Sequence, residues 1–228
     1  MPPPPPPLSQ AGSQANPGKG SSLVKTPRPD VTTGIRNTVL VQKLEVHSTE
    51  AGEFLQHLQQ QMTYRNGQYE PVLSSEPTQR ALKIRFPFLI VEGKSYATGK
   101  TVFDAQNQAA VSGACALKIL HDLADLAHRA DVSSGSQTEE AHPLVFSICT
   151  EGPSHELWAH YTTVENGVRM FNMSILKTWH ALLRDEVLRF LTAVDNVISW
   201  GSGDFLDDIV ERLGKVAKRA RGAREGGA

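Results

Sequence analysis

One apolar run that ends in charged residues constrains this chain more than any other feature. Residues 82–91 read Leu-Lys-Ile-Arg-Phe-Pro-Phe-Leu-Ile-Val, an alternation that becomes a continuous apolar stretch. Such a stretch is typical of a central strand that is covered on both faces. Pro87 cannot donate a ladder hydrogen bond, so it predicts a bulge, or a change from edge to interior, within that strand. The chain must accordingly place a layer of structure on each side of this strand.

The segments that follow the apolar run predict an α/β fold. After a break at Gly99, residues 101–129 are rich in Ala, Leu and Gln, which favours a helix. Small residues at 112–116 would let this helix lie close against a sheet. The next strand is predicted at 144–149, and a helix between two strands is the pattern of a partly parallel sheet. We expect a mixed sheet of roughly four to six strands with this helix on one face.

Periodicity predicts the other secondary structure. Alternation favours strands at 31–35, 39–46, 155–163 and 168–175. Asn166-Gly167 separates the last two strands and is a strong hairpin signal. Apolar residues at helical spacing predict helices at 49–64, 176–198 and 205–220. The chain is therefore expected to end in a hairpin followed by two helices.

Composition divides the chain into one domain with two appendages. Its 228 residues suit a single domain, and nine of the fourteen prolines lie within the first thirty positions. We predict a disordered proline-rich tail at 1–22, to which a proline-reading domain could bind. The domain is predicted at 23–218, and a disordered basic and glycine-rich tail at 219–228. The basic residues there fit a solvated helix end, a nuclear-import signal or a phosphate contact.

Charge and apolar content exclude several classes of protein. A formal net charge of −1 excludes a polycation, so any binding of nucleic acid would depend on local patches. No apolar run approaches the ~20 residues of a membrane span, and the proline-rich start offers no signal peptide. The two cysteines exclude a disulfide scaffold and favour a reduced compartment. We therefore expect an intracellular protein with no membrane partner, in the nucleus or the cytoplasm.

The apolar strand leads directly into Glu92-Gly93-Lys94. Residues two apart on a strand point to the same face, so Glu92 and Lys94 lie side by side where the strand emerges. Asp30, after Pro29, stands at the start of an earlier strand. Two carboxylates at strand ends form the hard-oxygen site that Mg²⁺ or Mn²⁺ prefers, with waters and a substrate phosphate as further ligands. Lys94 would then help to activate a water and stabilise phosphoryl charge.

These residues also have an interpretation without chemistry. The composition, 24 acids and ten lysines in 228 residues, gives about one acid-x-Lys triplet by chance. Asp30 would then be a turn residue, and Glu92 and Lys94 a solvated ion pair at a strand end. The residue types alone favour this interpretation over a metal site.

Other reactive residues are predicted to be structural. His155 and His160 point to opposite faces of a regular strand, which argues against zinc. Cys115 and Cys149 are expected to be buried packing residues, although Cys149 with His155 nearby leaves a cysteine hydrolase open. The three tryptophans are expected to serve as core or sheet cover; they are Trp158, Trp179 and Trp200.

The motifs together carry a family resemblance. Pro29-Asp30, the strand ending in Glu92-Gly93-Lys94 and the helix with Gln106-Asn107-Gln108 resemble the PD-(D/E)xK nuclease-like superfamily. More closely, residues 86–96 with 105–108 are similar to an uncharacterised fungal branch of it, over a span from about Pro27 to Val216. The resemblance implies a restriction-endonuclease-like mixed sheet flanked by helices. It also implies Mg²⁺ or Mn²⁺ bound by Asp30 and Glu92, Lys94 at the attacking water, and Gln108 as a helper with Gln106 in reserve.

The resemblance implies an activity and an alternative. The activity is metal-dependent hydrolysis of phosphodiester bonds in DNA or RNA, and the alternative is an inactive PD-(D/E)xK scaffold that acts as a binding or interaction module. The superfamily core normally has a helix and a strand before the Asp-bearing strand, whereas only the proline-rich tail precedes Pro29 here. An N-terminally truncated core, or one that takes those elements from elsewhere in the chain, is therefore expected.

Overall fold

The computed structural model describes residues 28–45, 50–65, 67–76, 83–95, 97, 99–131 and 142–225. The proline-rich tail predicted at 1–22 lies outside these residues. The elements in chain order are β1 (Val31–Arg36), α1 (Asn37–Leu44), α2 (Ala51–Gln60), β2 (Met62–Arg65), β3 (Gln68–Pro71), β4 (Ile84–Lys94), α3 (Val102–Asp131), β5 (Val145–Glu151), β6 (Ser154–Glu165), β7 (Val168–His180), α4 (Arg184–Ser202) and α5 (Asp204–Glu225).

Five strands form the main sheet in the order β1-β4-β5-β6-β7. The β4–β5 pair is parallel and the other pairs are antiparallel, so the mixed sheet expected from the sequence is confirmed. β6 and β7 form the predicted hairpin, in which Asn166 and Gly167 both have positive φ. β2 and β3 form a separate two-stranded sheet.

The pairing of β1 with β4 contains two adjacent register shifts. Thr33 pairs with Leu89 but Gly34 pairs with Pro87, and Ile35 pairs with Arg85. Gly34 approaches β4 so closely that a Cβ atom there would lie 2.8 Å from the carbonyl oxygen of Arg85. The bulge predicted from Pro87 is therefore confirmed, and only glycine fits opposite it.

Helix α3 lies against one face of the sheet, as its small residues predict. Ala105 and Ala109 are fully buried, and Gly113 faces His160 of β6. A Cβ atom on Gly113 would lie 2.3 Å from His160 Nδ1, so the helix approaches the strand to a distance that only glycine permits. On the other face, Phe88 of β4 packs edge-on against Trp200 of α4, 6.2 Å between ring centroids. β4 is thus covered on both faces.

The structure corrects three of the predicted elements. Residues 37–44 are helix α1 rather than a returning strand, because Leu40 and Leu44, four residues apart, are both buried on one helix face. The helix predicted at 49–64 ends at Gln60, because Met62–Arg65 pairs with β3. The strand β7 continues to His180, so helix α4 begins only at Arg184.

The last helix extends into residues 219–228, for which the sequence predicts a disordered tail. Helix α5 continues to Glu225, because its alanines, lysines and arginines are good helix formers. Part of the basic run also binds within the domain. Lys215 pairs with Asp131 at 3.1 Å, and Arg219 donates a hydrogen bond to the carbonyl oxygen of Arg129. These two side chains therefore fix α5 to the end of α3.

Gly113→Ala is expected to destabilise the fold. His160 is 1% exposed and is held by a 2.7 Å hydrogen bond to Ser147, so it cannot move away from the added methyl group. We expect the free energy of unfolding to fall by about 1–3 kcal/mol in urea denaturation. Gly52→Ala in α2 is the matched control, because among the described residues nothing beyond its chain neighbours and the backbone of its own helix lies within 4 Å of its Cβ position. An unchanged Gly113→Ala protein would contradict this packing.

Candidate functional site

The predicted site residues meet where β4 ends. Asp30 lies directly before β1, Glu92 and Lys94 end β4, and Gln108 lies in the N-terminal half of α3. Because Val31 pairs with Val91, the antiparallel register brings Asp30 beside Glu92. Lys94 Nζ donates a hydrogen bond to Gln108 Oε1. Four residues chosen from the sequence are therefore neighbours in the structure.

Asp30 is fixed by the backbone of the triplet itself. Its Oδ2 atom accepts a hydrogen bond of 2.7 Å from the backbone N–H of Gly93. The side chain of Asp30 is exposed, whereas Glu92 beside it is buried. One carboxylate therefore faces solvent and the other faces the interior, at the same edge of the sheet.

Glu92 is a buried carboxylate with few protein partners. It is 2% exposed, and its hydrogen bond from Ser112 Oγ to Oε1 is long, at 3.4 Å. No ion pair of the described residues includes Glu92. Burial raises the pKa of Glu92, and the negative charge of Asp30 raises it further, while Lys94 and Ser112 oppose this shift. A positive charge near both carboxylates would therefore be strongly stabilising.

Helix α3 supplies two of these contacts because its start is tied to the sheet. The backbone N–H of Val102 donates to Glu151 Oε2 at the end of β5, at 2.8 Å. Asp104 Oδ2 accepts the backbone N–H of Thr101, also at 2.8 Å. With its first turn fixed in this way, the helix directs Ser112 toward Glu92 and Gln108 toward Lys94.

The reserve candidate Gln106 lies on the other side of α3. Its Nε2 atom donates to Glu156 Oε2 at 2.8 Å, and Trp158 Nε1 donates to the same oxygen at 2.9 Å. Glu156 pairs with Cys149, which pairs in turn with Glu92, so these three residues cross the sheet in one row. Sequence reasoning missed Glu156 because strand register, which no local pattern indicates, places it there.

The cysteine hydrolase alternative has no support in this geometry. Burial, followed by the charges of Glu156 and Glu92, raises the pKa of Cys149 to about 12, so its thiol is not ionised at neutral pH. His155 contacts Thr150 instead, with its Nδ1 atom 2.8 Å from the hydroxyl. Cys149 is buried, as predicted, but the prediction that Cys115 is buried was wrong, because it lies on the solvent side of α3.

The histidines considered for zinc have structural partners. His160 is buried against Gly113, and its Nε2 atom lies 2.7 Å from Ser147 Oγ. Burial lowers the pKa of His160 to about 4, so the ring is neutral at physiological pH. The ring of His155 instead stacks on Phe190 of α4, 4.9 Å between centroids, on the opposite face of the sheet.

The capacity of the site for a metal rests on two carboxylates. Among the described residues, no group of three or more His, Cys, Asp or Glu side chains could hold a metal ion. Mg²⁺ is commonly bound by one or two carboxylates, with waters and phosphate oxygens as the other ligands. Asp30 and Glu92 fit that mode, because both are hard-oxygen donors and Glu92 is buried with one weak side-chain hydrogen bond from the part of the chain that the structure describes.

Comparison with known proteins gives a family without an activity. The model of a family described as Domain of unknown function (DUF7924) matches residues 8–213. The chain belongs to this family. No curated protein and no solved structure matches it.

The helices and the cavities of the DUF7924 chain complete the description of the site's surroundings. None of its described helices is both long and apolar enough to cross a bilayer. Cavities of about 850, 770 and 260 Å³ are lined by residues other than Asp30, Glu92, Lys94 and Gln108. The candidate site therefore lies at a sheet edge, outside these cavities.

Glu92→Gln is expected to stabilise the DUF7924 chain increasingly as pH rises. Because the pKa of Glu92 is raised on folding, the unfolded chain releases its proton first, from about pH 4.3. The free energy of unfolding of the wild type therefore falls as pH rises from that value through the folded pKa. Glu92→Gln has no carboxyl group to titrate at this position, so it does not lose stability in this way. Its free energy of unfolding should therefore exceed that of the wild type by an amount that grows over the same pH range.

The measurement is urea denaturation from pH 4 to pH 8 in chelator. Glu53→Gln is the control, because Glu53 is exposed on α2 and distant in sequence from the site. A difference between Glu92→Gln and wild type that stays constant with pH would show that Glu92 is ordinarily solvated.

Proposed function

We propose that this protein is a metal-dependent nuclease that hydrolyses phosphodiester bonds of nucleic acid. One observation carries the proposal: the buried carboxylate of Glu92 lies beside Asp30 and Lys94, and the one side-chain hydrogen bond that it makes with the described residues, from Ser112, is long, at 3.4 Å. A buried anion with so little compensation is costly in an ordinary strand end. Perturbed ionisable groups of this kind cluster at functional sites.

Asp30 and Glu92 would hold Mg²⁺ or Mn²⁺. The chemistry that such a cation supplies is a more acidic water and neutralisation of charge on phosphoryl oxygens. The chain supports this site in two ways. The backbone N–H of Gly93 orients Asp30, and Ser112 orients Glu92 from the helix. The pair is thus held in place by main chain and by α3 before any ligand arrives.

Lys94 would act on the attacking water and the phosphoryl charge. It leaves β4 on the same face as Glu92, two residues further along, and its ammonium is held by Gln108. This hydrogen bond limits the freedom of a long side chain, which favours a fixed position for the charge. Gln108 is therefore proposed as the positioning residue for Lys94.

Lys94→Ala tests the proposed catalysis. Purified full-length protein is incubated with single- and double-stranded DNA and RNA, in Mg²⁺, in Mn²⁺ and in chelator. We expect metal-dependent cleavage that Lys94→Ala lowers by about 100-fold or more, because a charge at the reacting phosphate is lost. Lys100→Ala is the matched control, since this exposed lysine lies at the other end of the loop before α3. Equal cleavage by both variants, or none by wild type, would overturn the catalytic role.

Mn²⁺ binding distinguishes an active nuclease from an inactive scaffold. At about 100 times its dissociation constant, Mn²⁺ should stabilise the wild type by about 2.7 kcal/mol and raise Tm by roughly 5–10 °C. Asp30→Asn and Glu92→Gln should abolish this shift, whereas Glu156→Gln should retain it. Binding without cleavage would favour the scaffold with an inactive site. No shift in the wild type would remove the metal site altogether.

A further inference from the structure

Lys94 has a carboxylate as its paired residue on the neighbouring strand. In the parallel register of β4 and β5, Lys94 pairs with Glu151, and paired residues of adjacent strands point to the same face of a sheet. Both side chains reach helix α3, since Lys94 Nζ donates to Gln108 Oε1 and Glu151 Oε2 accepts the backbone N–H of Val102. Opposite charges at such a distance attract each other. An ion pair between Lys94 and Glu151 is therefore the ordinary expectation at this edge.

The structure does not contain that ion pair. No ion pair of the described residues includes Lys94 or Glu151. The backbone N–H of Val102, the first residue of α3, instead donates to Glu151 at 2.8 Å. The N–H groups of a first helical turn have no partner within the helix and carry partial positive charge, so they bind a carboxylate well. The start of α3 thus competes with Lys94 for Glu151 and holds it.

A second carboxylate close to Lys94 is held by the same helix start. Thr101 is the N-cap of α3, because its carbonyl oxygen accepts the N–H of Asp104. Asp104 Oδ2 in turn accepts the backbone N–H of Thr101 at 2.8 Å and its hydroxyl at 3.3 Å, as in a capping box. The backbone hydrogen bond from Thr101 lowers the pKa of Asp104 most strongly, and the charges of Lys100 and Lys94 lower it further. Asp104 therefore lies within electrostatic reach of Lys94 but bonds to backbone.

We propose that Glu151 is a positioning residue, whose capture by the N–H of Val102 keeps the Lys94 ammonium unpaired and available to an anionic phosphodiester. This inference rests on the proposed function, because it assigns Lys94 to a substrate phosphate. A lysine paired with Glu151 would offer less charge to phosphoryl oxygens, and the ion pair would have to break before the lysine could contact them. Gln108, in contrast, is neutral, so it directs the ammonium without neutralising it.

Val102→Pro releases Glu151 with little change to the helix. Proline has no N–H to donate, yet it is favoured at the first helical position, which Val102 occupies. Glu151 should then pair with Lys94, so we expect metal-dependent cleavage to fall about threefold, the strength of a partly exposed ion pair. Adding Glu151→Gln should restore cleavage, because a neutral amide cannot form that ion pair. A purely structural cap predicts the opposite, since the double variant still lacks the hydrogen bond.

Chemical labelling of Lys94 gives a measurement that does not depend on cleavage. Full-length protein is treated with a trace of acetic anhydride, and acetylation of Lys94 is compared by mass spectrometry with that of Lys218, an exposed lysine on α5. An ion-paired lysine reacts more slowly, because the carboxylate stabilises its protonated form. We expect Val102→Pro to lower labelling of Lys94 about threefold and the added Glu151→Gln to restore it. Val102→Ala, which retains the N–H, should label as wild type does.

The labelling separates failure of this inference from failure of the proposed function. Labelling of Lys94 that Val102→Pro leaves unchanged, or that stays low in the double variant, would overturn the role of Glu151. Glu151→Gln alone tests the same point without the proline, because its amide oxygen can still accept the N–H of Val102. A rise in its labelling would show that Glu151 already pairs with Lys94, contrary to the proposal. The expected labelling in a protein that cleaves no nucleic acid would support the capture of Glu151 and overturn the proposed function.

Discussion

The close approach of Gly34 to the Phe86-Pro87 segment determines where the candidate site forms. Above this point Ile35 pairs with Arg85, and below it Thr33 pairs with Leu89, so the two shifts move β1 by two residues along β4. Without them Asp30 would align with Ile90 rather than Glu92. Phe86 adopts a positive φ of 48° at the same place, and Pro87 gives up its ladder hydrogen bond. A local departure from regular pairing thus creates the carboxylate pair.

Close packing of α3 on the sheet then buries Glu92 of the Asp30–Glu92 pair and places polar side chains beside the site. Alanines and Gly113 let the helix lie directly on β4, β5 and β6, and this contact excludes water from Glu92. The same contact brings Ser112 and Gln108 within reach of the triplet. Burial raises the pKa of Glu92, and the charge of Asp30 adds to this effect. The helix therefore both desolvates the site and supplies its polar partners.

Local sequence patterns predicted what depends on local structure. The apolar run identified β4 and its charged end, Pro87 indicated the bulge, and Asn166-Gly167 indicated the hairpin. Asp30 and Glu92 are sixty-two positions apart, so their adjacency came from the family resemblance and not from spacing. Sequence reasoning missed Glu156 because only the register of β4, β5 and β6 places it in line with Cys149 and Glu92 across the sheet. Alternating valines in the segment of α1 predict a strand, whereas burial of Leu40 and Leu44 on one face decides the helix.

The proposed function requires that Asp30 and Glu92 form one cation site at the end of β4. Anomalous diffraction from a crystal grown with Mn²⁺ tests it most directly. We predict a single anomalous peak in contact with carboxylate oxygens of both residues, with Lys94 still bound to Gln108 and the peak absent from Glu92→Gln crystals. A peak elsewhere on the chain, or Lys94 in a direct ion pair with Glu92 and no peak between the carboxylates, would contradict the account.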